Sequence, residues 1–339
     1  MRYWATLLLP VFCVTAVAAQ EARPPSVGEV LSRLGYGAED EKALLAGEII
    51  TTDVQRVRDD QLIAAAAILL PGRIEQLQAA VRAGDNLSGD PGILALGKLG
   101  TGDDGRAWQG LAFGDGEREE AARLHGFKGG ADFNLSGEEI GALKAALKGV
   151  REDDPDLIGR ASAAYRDILK ARHEAYLARG LDGIAPYRQG TATLEPAAEL
   201  GAVRDQARDF LATFFPAFEK AFANYPQETT SEVAHGHYWL KREVEGRPAF
   251  VLAHQMVAGG PDYVLLSLRE YFVGHTYESL QVIALALPVE QGSVVFYVNS
   301  AFTEQITGFF SGVAQSVGQG RMKDDLTDYF EAVQRRQAE

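Results

Sequence analysis

The feature that most constrains the fold is a series of five strand-like segments that begins after Pro226. Each segment has the apolar pattern of a β-strand, and the segments cover residues 237–244, 250–257, 263–273, 280–287 and 293–299. Short turns separate them, such as Glu245-Gly246-Arg247 and Gln291-Gly292. Loops of this length cannot hold the crossover that joins parallel strands, so the segments predict an antiparallel sheet.

Helical patterns precede and follow this sheet. Residues 157–178 and 196–224 have helical spacing, and the second segment carries an aromatic stripe that we interpret as core: Phe210, Phe214, Phe215, Phe218 and Phe222. An amphipathic pattern over 306–333, interrupted near Gly318 and Gly320, predicts one long helix, or two in line, across the sheet. The predicted fold class is therefore α+β: helical segments followed by an antiparallel sheet closed by a long C-terminal helix.

Shorter elements are predicted nearer the N-terminus. The apolar run Gln61–Leu70 ends at Pro71 and predicts a buried strand, with a helical turn as the alternative. A helix follows over 73–82, and three more segments predict strands: 48–57, 93–99 and 108–113. Ser136 and Glu139 have the spacing of a capping box, which predicts that a helix begins there.

These patterns divide the chain into regions. Residues 20–154 form an N-terminal α+β region, and residues 155–225 form a helical region. Residues 226–339 form the antiparallel sheet with its C-terminal helix, which can share one domain with the regions before it.

Residues 1–19 predict a cleavable secretory signal. Arg2 supplies a positive charge, residues 3–18 contain no charged side chain, and Val17-Ala18-Ala19 offers the small residues that a signal peptidase needs before Gln20. A membrane anchor is the alternative, but Pro10 interrupts an apolar stretch that falls short of the roughly 20 residues needed to span a bilayer. We therefore expect an exported protein, either periplasmic or secreted.

The mature chain would be acidic and free of cysteine. The sequence has 33 Lys and Arg against 47 Asp and Glu, and Arg2 is the one charge before Gln20, so the mature chain has 32 against 47 and a formal charge of −15. Such a surface repels phosphate backbones, so we predict no nucleic-acid partner. Cys13 is the single cysteine and lies in the signal, which excludes disulfides after cleavage. No later apolar run is long enough to span a membrane, so we expect no integral membrane protein.

A cluster of ionisable residues near the third strand suggests acid-base chemistry. Glu270 alternates with apolar residues on one face of the predicted strand: Val264, Leu266, Leu268 and Phe272. A carboxyl group in such surroundings has a raised pKa and can act as a general acid. Together with His275 and Tyr277 it would form the catalytic group of a hydrolase. The alternative is a structural ion pair in which Arg269 or Lys241 neutralises Glu270 across the sheet.

Histidines supply the other candidate chemistry. His235 and His237 are two residues apart and point to one face of a strand, and His254 and His275 lie on neighbouring strands, so these imidazoles are weak candidates for a zinc site. Their spacing matches no recognised zinc motif. The segment 132–137 begins like a calcium loop, but Leu143 stands where a bidentate glutamate is needed. The sequence therefore predicts neither a cofactor nor a resident metal.

Several strings together resemble a set of exported bacterial hypothetical proteins without an assigned function. They are Phe133-Asn-Leu-Ser136, Tyr238-Trp239-Leu-Lys241, Gly246-Arg-Pro248, and Arg269-Glu-Tyr with His275. This resemblance implies an envelope location and no particular catalysis. The order of elements also resembles the helix-grip layout of START-type lipid-binding domains, in which residues 156–225 would be a large insertion. A likeness in element order does not supply a function.

The leading functional hypothesis is the binding of a hydrophobic small molecule or lipid. A curved sheet and its closing helix would enclose an apolar cavity lined by Tyr238, Trp239, Phe272 and Phe310, with Arg269 or His275 as polar contacts. The strands are apolar on both faces, which equally fits a fully packed core. Besides the hydrolase, a third hypothesis is an interaction module for another envelope protein, which would carry an exposed apolar patch.

Overall fold

The computed structural model describes residues 23–100, 105–307 and 311–338. The predicted signal 1–19 and the candidate Phe310 lie outside the described residues. Within these ranges the strands are Ile50–Asp53 (β1), Gln61–Leu70 (β2), Ile93–Leu99 (β3), Tyr187–Gln189 (β4), Ala192–Leu194 (β5), Ala234–Val244 (β6), Arg247–Gly260 (β7), Tyr263–Val273 (β8), Ser279–Val289 (β9) and Gly292–Phe302 (β10).

The helices alternate with these strands along the chain. In the described ranges they are Val27–Leu34 (α1), Ala38–Leu45 (α2), Ile74–Ala83 (α3), Asp85–Ser88 (α4), Arg118–Gly126 (α5), Gly137–Ala146 (α6), Leu157–Arg179 (α7), Pro196–Phe214 (α8), Pro216–Asn224 (α9) and Ser311–Ala338 (α10). None of them is long and apolar enough to cross a membrane, as far as the described residues extend.

One antiparallel sheet organises the fold. Its eight described strands run in the order β1-β2-β10-β9-β8-β7-β6-β3. The five predicted consecutive strands are β6 to β10, and they pair with their neighbours in chain order, which confirms the α+β prediction. Strands β2 and β3, from the region 20–154, add to the two sides of these five. The two regions therefore build one sheet together.

One predicted strand, 108–113, is wrong. Its residues form a turn followed by irregular backbone and do not pair with the sheet. Trp108, Leu111 and Phe113 are nevertheless buried in the same apolar cluster. A short apolar pattern predicts only which side chains are buried, and a loop can bury them as well as a strand can.

Helices α5 to α9, together with α1 and α2, cover one face of the sheet, called the helix face here. Helices α5 to α7 pack on Trp239, Phe250 and Phe272 in one apolar cluster, and helices α1, α2, α8 and α9 form a second. The predicted helix 196–224 is two helices, because Pro216 lacks the backbone N–H that would continue α8. Of the aromatic stripe, Phe215, Phe218 and Phe222 are buried and the other two are half-buried.

Helix α10 covers the opposite face, called the cavity face here, on the side of β1 and β2. Strand β2 presents Ala64 and Ala66 to it, and such small side chains let a helix approach closely. The side chain of Gln319 accepts from the backbone N of Ile63 at 3.3 Å and donates to the Ile63 carbonyl. The prediction of one long helix is confirmed, with Ser311 rather than Ile306 as its first residue.

A bulge in β8 changes which side chains share a face. Leu252 of β7 pairs with Phe272, but the next residue, Ala253, pairs with Glu270, so Tyr271 is an extra residue in the ladder. A bulge of this kind reverses the alternation of the residues beyond it. Glu270 therefore stays on the cavity face with Val264, Leu266 and Leu268, while Phe272 turns to the helix face, and its predicted placement beside Glu270 is wrong.

Candidate functional site

A cavity of about 1260 Å³ lies between the cavity face of the sheet and helix α10. Helix α10 packs on β1 and β2, while α3 packs on β7, β8 and β9, so the two helices cover opposite sides of this face. Between the two helices the sheet lines the cavity, and Tyr297 of β10 contacts Phe330 of α10, with ring centroids 5.5 Å apart. The cavity therefore results from how the helices are placed, not from an irregularity of the sheet.

The walls of the cavity are mainly apolar. Its floor is made by strands β8, β9 and β10, which present Leu266, Leu268, Val282, Ala284, Ala286 and Val295. Its roof is the inner side of α10, with Val317, Met322, Leu326, Phe330 and Val333. Helices α3 and α4 close one side with Leu77, Val81 and Leu87. Because alanine occupies two central floor positions, the volume beneath α10 stays unfilled.

An ion pair and a tyrosine interrupt this apolar surface. The Arg242 Nη2 atom of β6 lies 3.1 Å from Oε1 of Glu270 on β8, and 3.5 Å from Oδ2 of Asp90. The Tyr277 hydroxyl donates to Glu270 Oε2 at 2.7 Å. Strand β7 lies between β6 and β8 and presents Ala249 opposite Arg242 and Ala253 opposite Glu270.

The surroundings of Arg242 keep its guanidinium charged, and those of Tyr277 keep its hydroxyl neutral. Burial by itself would lower the pKa of Arg242, but the Glu270 carboxylate raises it above its ordinary value, so the guanidinium stays charged. Burial, and then the charge of Glu270, raises the pKa of Tyr277 well above its usual range, so its hydroxyl keeps its proton. Tyr277 acts here as a hydrogen-bond donor.

Polar atoms in the cavity remain without hydrogen bonds. Glu270 Oε1 lies near Arg242 in an ion pair whose geometry is not that of a hydrogen bond, and Glu270 is completely buried. Arg242 Nε and Asn299 Oδ1 are also buried without a hydrogen-bond partner among the described residues. Buried polar groups normally have partners. A bound molecule could supply them.

The predicted catalytic group is only partly assembled. Glu270 and Tyr277 meet in the cavity, as the sequence suggested. His275 does not join them: its Nδ1 lies 2.8 Å from Thr276 Oγ1 and its Nε2 lies 3.4 Å from the Pro248 carbonyl. Burial, then the charge of Arg247, lowers its pKa to about 4. His275 therefore lies outside the contact that Glu270 and Tyr277 form.

Sequence reasoning anticipated a structural partner for Glu270 but chose the wrong cations. Lys241 instead pairs with Glu117 at 2.6 Å on the helix face, and Arg269 also points to that face. The true partner, Arg242, was missed. Its position in β6, two residues after Leu240 on the cavity face, is the signal that could have identified it.

Most of the residues predicted to line a cavity lie elsewhere. Trp239 and Phe272 belong to the apolar cluster of the helix face, where Trp239 Nε1 donates to the Ala107 carbonyl at 2.6 Å. Tyr238 does lie on the cavity face, but it packs with Ile74 and Leu87. Arg269 and His275 are also absent from the described lining. The alternation of apolar residues along the strands predicted that these side chains are buried. It could not predict whether a given side chain packs against the helices or lines the cavity.

The weak metal candidates meet in a second polar cluster, on the helix face. The His235 Nδ1 atom lies 2.9 Å from His254 Nε2, and the rings of His237 and His254 stack with centroids 4.3 Å apart. His254 Nδ1 lies 2.9 Å from the Tyr176 hydroxyl, which accepts from Arg269 at 3.1 Å. The network therefore joins α7 to β6, β7 and β8.

The imidazoles of this cluster are neutral, and most of their ring nitrogens have hydrogen-bond partners. Burial, with smaller effects from His173 and His235, lowers the pKa of His237 to about 3, and burial lowers that of His254 well below its ordinary value. Of the six ring nitrogens of His235, His237 and His254, four have hydrogen-bond partners. In the part of the chain that the structure describes, no group of three or more metal-binding side chains is placed to hold an ion.

Comparisons with known proteins add little to this geometry. No family model matches the chain, and no curated protein is similar to it. Among solved structures, the crystal structure of Ara h 8.0201 is similar with a TM-score of 0.20 and 13% identity, over 42% of this chain and 89% of that chain. A likeness at this TM-score carries no argument about fold or function, so the site must be interpreted from its own residues.

Proposed function

We propose that the protein is an exported binding protein that holds an apolar small molecule or lipid between its sheet and helix α10. The observation that carries this proposal is the cavity of about 1260 Å³ with an apolar floor and roof. Ligand pockets usually measure roughly 300–1,000 Å³, so this volume is ample for a small amphiphile. The buried polar atoms at its floor are of the kind that orient a ligand in such a pocket.

The energetics support an apolar ligand. Burial of one methylene group contributes about 0.8 kcal/mol, so a chain of ten contributes about 8 kcal/mol. The loss of translational and rotational freedom on association costs about 4–15 kcal/mol. Burial of an alkyl chain of this length therefore offsets a large part of that cost.

Export is supported by the pattern of residues 1–19, with its basic Arg2 and the small residues Val17-Ala18-Ala19 before Gln20. Expression of the full chain in a bacterial host, fractionation and intact-mass measurement test this part. We expect a periplasmic or secreted product that begins at Gln20. A full-length product retained in the cytoplasm would contradict it.

The binding proposal is tested with the neutral fluorophore N-phenyl-1-naphthylamine, which brightens in apolar surroundings. We expect saturable binding at one site per chain. Ala284→Phe places a ring in the cavity floor and should weaken binding at least about tenfold while the protein stays folded. Leu94→Phe enlarges an exposed apolar side chain away from the cavity and is the matched control.

Equal binding by the wild type and both variants would place the fluorophore elsewhere and contradict the proposal. A complementary measurement is native mass spectrometry of protein purified gently from its host, followed by denaturing extraction. A released apolar molecule at one per chain would name the natural ligand class.

A further inference from the structure

The unpartnered atoms of the cavity are mostly hydrogen-bond acceptors. Glu270 Oε1 and Asn299 Oδ1 lie in the floor, and Asn86 Oδ1 lies at the side formed by α4. Glu270 is completely buried, so water does not compensate its oxygen freely. Among the fully buried atoms of the described lining residues, Arg242 Nε is the one donor without a hydrogen-bond partner. A ligand that satisfies this surface must mainly donate hydrogen bonds.

The charges of the floor show the same imbalance. Arg242 is shared by two carboxylates, Glu270 at 3.1 Å and Asp90 at 3.5 Å. One positive charge therefore faces two negative charges, and this group of three carries one uncompensated negative charge. A second cation near Glu270 would complete the neutralisation, whereas a second anion would be repelled.

The rim of the cavity extends this negative field. The described lining includes seven carboxylates (Asp85, Asp90, Glu243, Glu245, Glu270, Asp325 and Asp328) against three guanidinium groups (Arg242, Arg321 and Arg336). Burial and the neighbouring Asp328 and Asp324 raise the pKa of Asp325, as expected where negative charge is in excess. A cleft lined by one sign of charge concentrates ligands of the opposite sign.

We infer that the ligand of this cavity is a cationic amphiphile, an apolar body with an amine at its polar end, whose ammonium group donates to Glu270 Oε1. This inference rests on the proposed function and adds the chemical class of the ligand. The ammonium group has three donors and no acceptor, which matches a surface of unpartnered oxygens. A fatty acid would instead bring a third carboxylate to the place where Arg242 already faces Glu270 and Asp90.

The test compares three probes with the same ten-carbon chain: decylamine, decanol and decanoate. Each displaces N-phenyl-1-naphthylamine from the protein at pH 7 and low ionic strength. We expect decylamine to reach half-displacement at a concentration at least about tenfold below that of decanoate, with decanol between them. If decanoate displaces the fluorophore as well as decylamine does, the inference is wrong while the binding function stands. If the fluorophore does not bind, and none of the three probes raises the thermal midpoint, both fail.

Two variants separate the cavity from the overall acidity of the chain. Asp90→Asn removes the uncompensated charge and leaves the Arg242–Glu270 pair in place. It should lower the preference for decylamine over decanol at least about threefold. Glu138→Gln removes an exposed carboxylate on α6, which belongs to the helix face, and should leave the preference unchanged. An equal loss in both variants would show that net charge causes the preference, and would overturn the inference.

Discussion

Arg242 and Glu270 form an ion pair across an intervening strand, with Nη2 and Oε1 3.1 Å apart beneath the cavity. The carboxylate is completely buried, whereas the Arg242 side chain keeps 19% of its exposure. Such a pair contributes little net stability when both charges are present, because each loses hydration. Removal of one partner is costly, since it leaves the other charge in the interior.

This relationship predicts the effect of Glu270→Gln. The variant leaves Arg242 with Asp90, so the cation keeps one carboxylate, and we expect the free energy of unfolding to fall by about 1–2 kcal/mol. Chemical denaturation measures this loss. The double variant Arg242→Met with Glu270→Leu should recover part of it, because the completely buried carboxylate is removed with its partner, while Asp90 keeps 25% of its exposure. A single variant as stable as the wild type would show that the pair is not structurally coupled.

The histidines predict an acid-sensitive stability. Burial lowers the pKa of His173 to about 4 and, with nearby histidines, that of His237 to about 3. An unfolded chain has an ordinary histidine pKa of about 6.5. Between about pH 6.5 and 4 the unfolded state binds more protons than the folded state. The stability that these neutral histidines contribute is therefore complete above about pH 6.5 and decreases as the pH falls.

Denaturant unfolding at pH 7 and pH 5 measures this loss. One such histidine contributes up to about 1.4 kcal/mol per pH unit. His237→Gln removes one titrating group, so the difference between the two pH values should shrink. An unchanged difference would contradict the role of His237.

Two buried carboxyl groups predict the opposite trend. Burial raises the pKa of Glu199 to about 7, and burial together with Glu199 raises that of Glu278 to about 9. The unfolded values are near 4.3. Their stabilising effect is therefore full below about pH 4.3 and is lost as the pH rises through the folded values.

Glu278→Gln keeps a neutral side chain at every pH. The unfolded wild type loses the Glu278 proton over this pH range, whereas the folded state retains it, so the wild type becomes less stable as the pH rises. The variant has no such proton, and its stability relative to the wild type should increase by at least about 1 kcal/mol between pH 4.5 and pH 8.5. Denaturation at both values gives the comparison. A stability difference that does not change with pH would disprove the raised pKa of Glu278.

The hydrogen bonds of Gln319 to strand β2 should stabilise the packing of helix α10 on the sheet. The Gln319 amide bonds both backbone groups of Ile63, a residue of β2 that lies beyond the four residues paired with β1. Gln319→Leu leaves this donor and acceptor unpaired and should cost about 1–2 kcal/mol of stability. Hydrogen exchange at the Ile63 amide should also accelerate. An unaffected exchange rate would mean that the Gln319 contact does not protect the strand.

Local patterns in the sequence determined the elements. Strands β6 to β10 follow from their apolar patterns and short turns, because these depend on neighbouring residues alone. The helix that begins after Ser136 follows from its capping box, whose bonds to Glu139 are present at 2.7 and 3.2 Å. The burial of Glu270 among Val264, Leu266 and Leu268 was predictable for the same reason. The absence of thiols after residue 13 is a property of the sequence itself.

The tertiary structure decided the site. The extra residue Tyr271 in β8 moves Phe272 to the other face, and a bulge depends on how two strands pair. Arg242 meets Glu270 because their strands flank β7, which requires the sheet order. The cavity exists because α10 packs on β2 while α3 packs on β7 to β9, which leaves a space above the sheet between the two helices. The sequence alone therefore determined which side chains are buried. The contacts between distant segments determined which groups those side chains pack against.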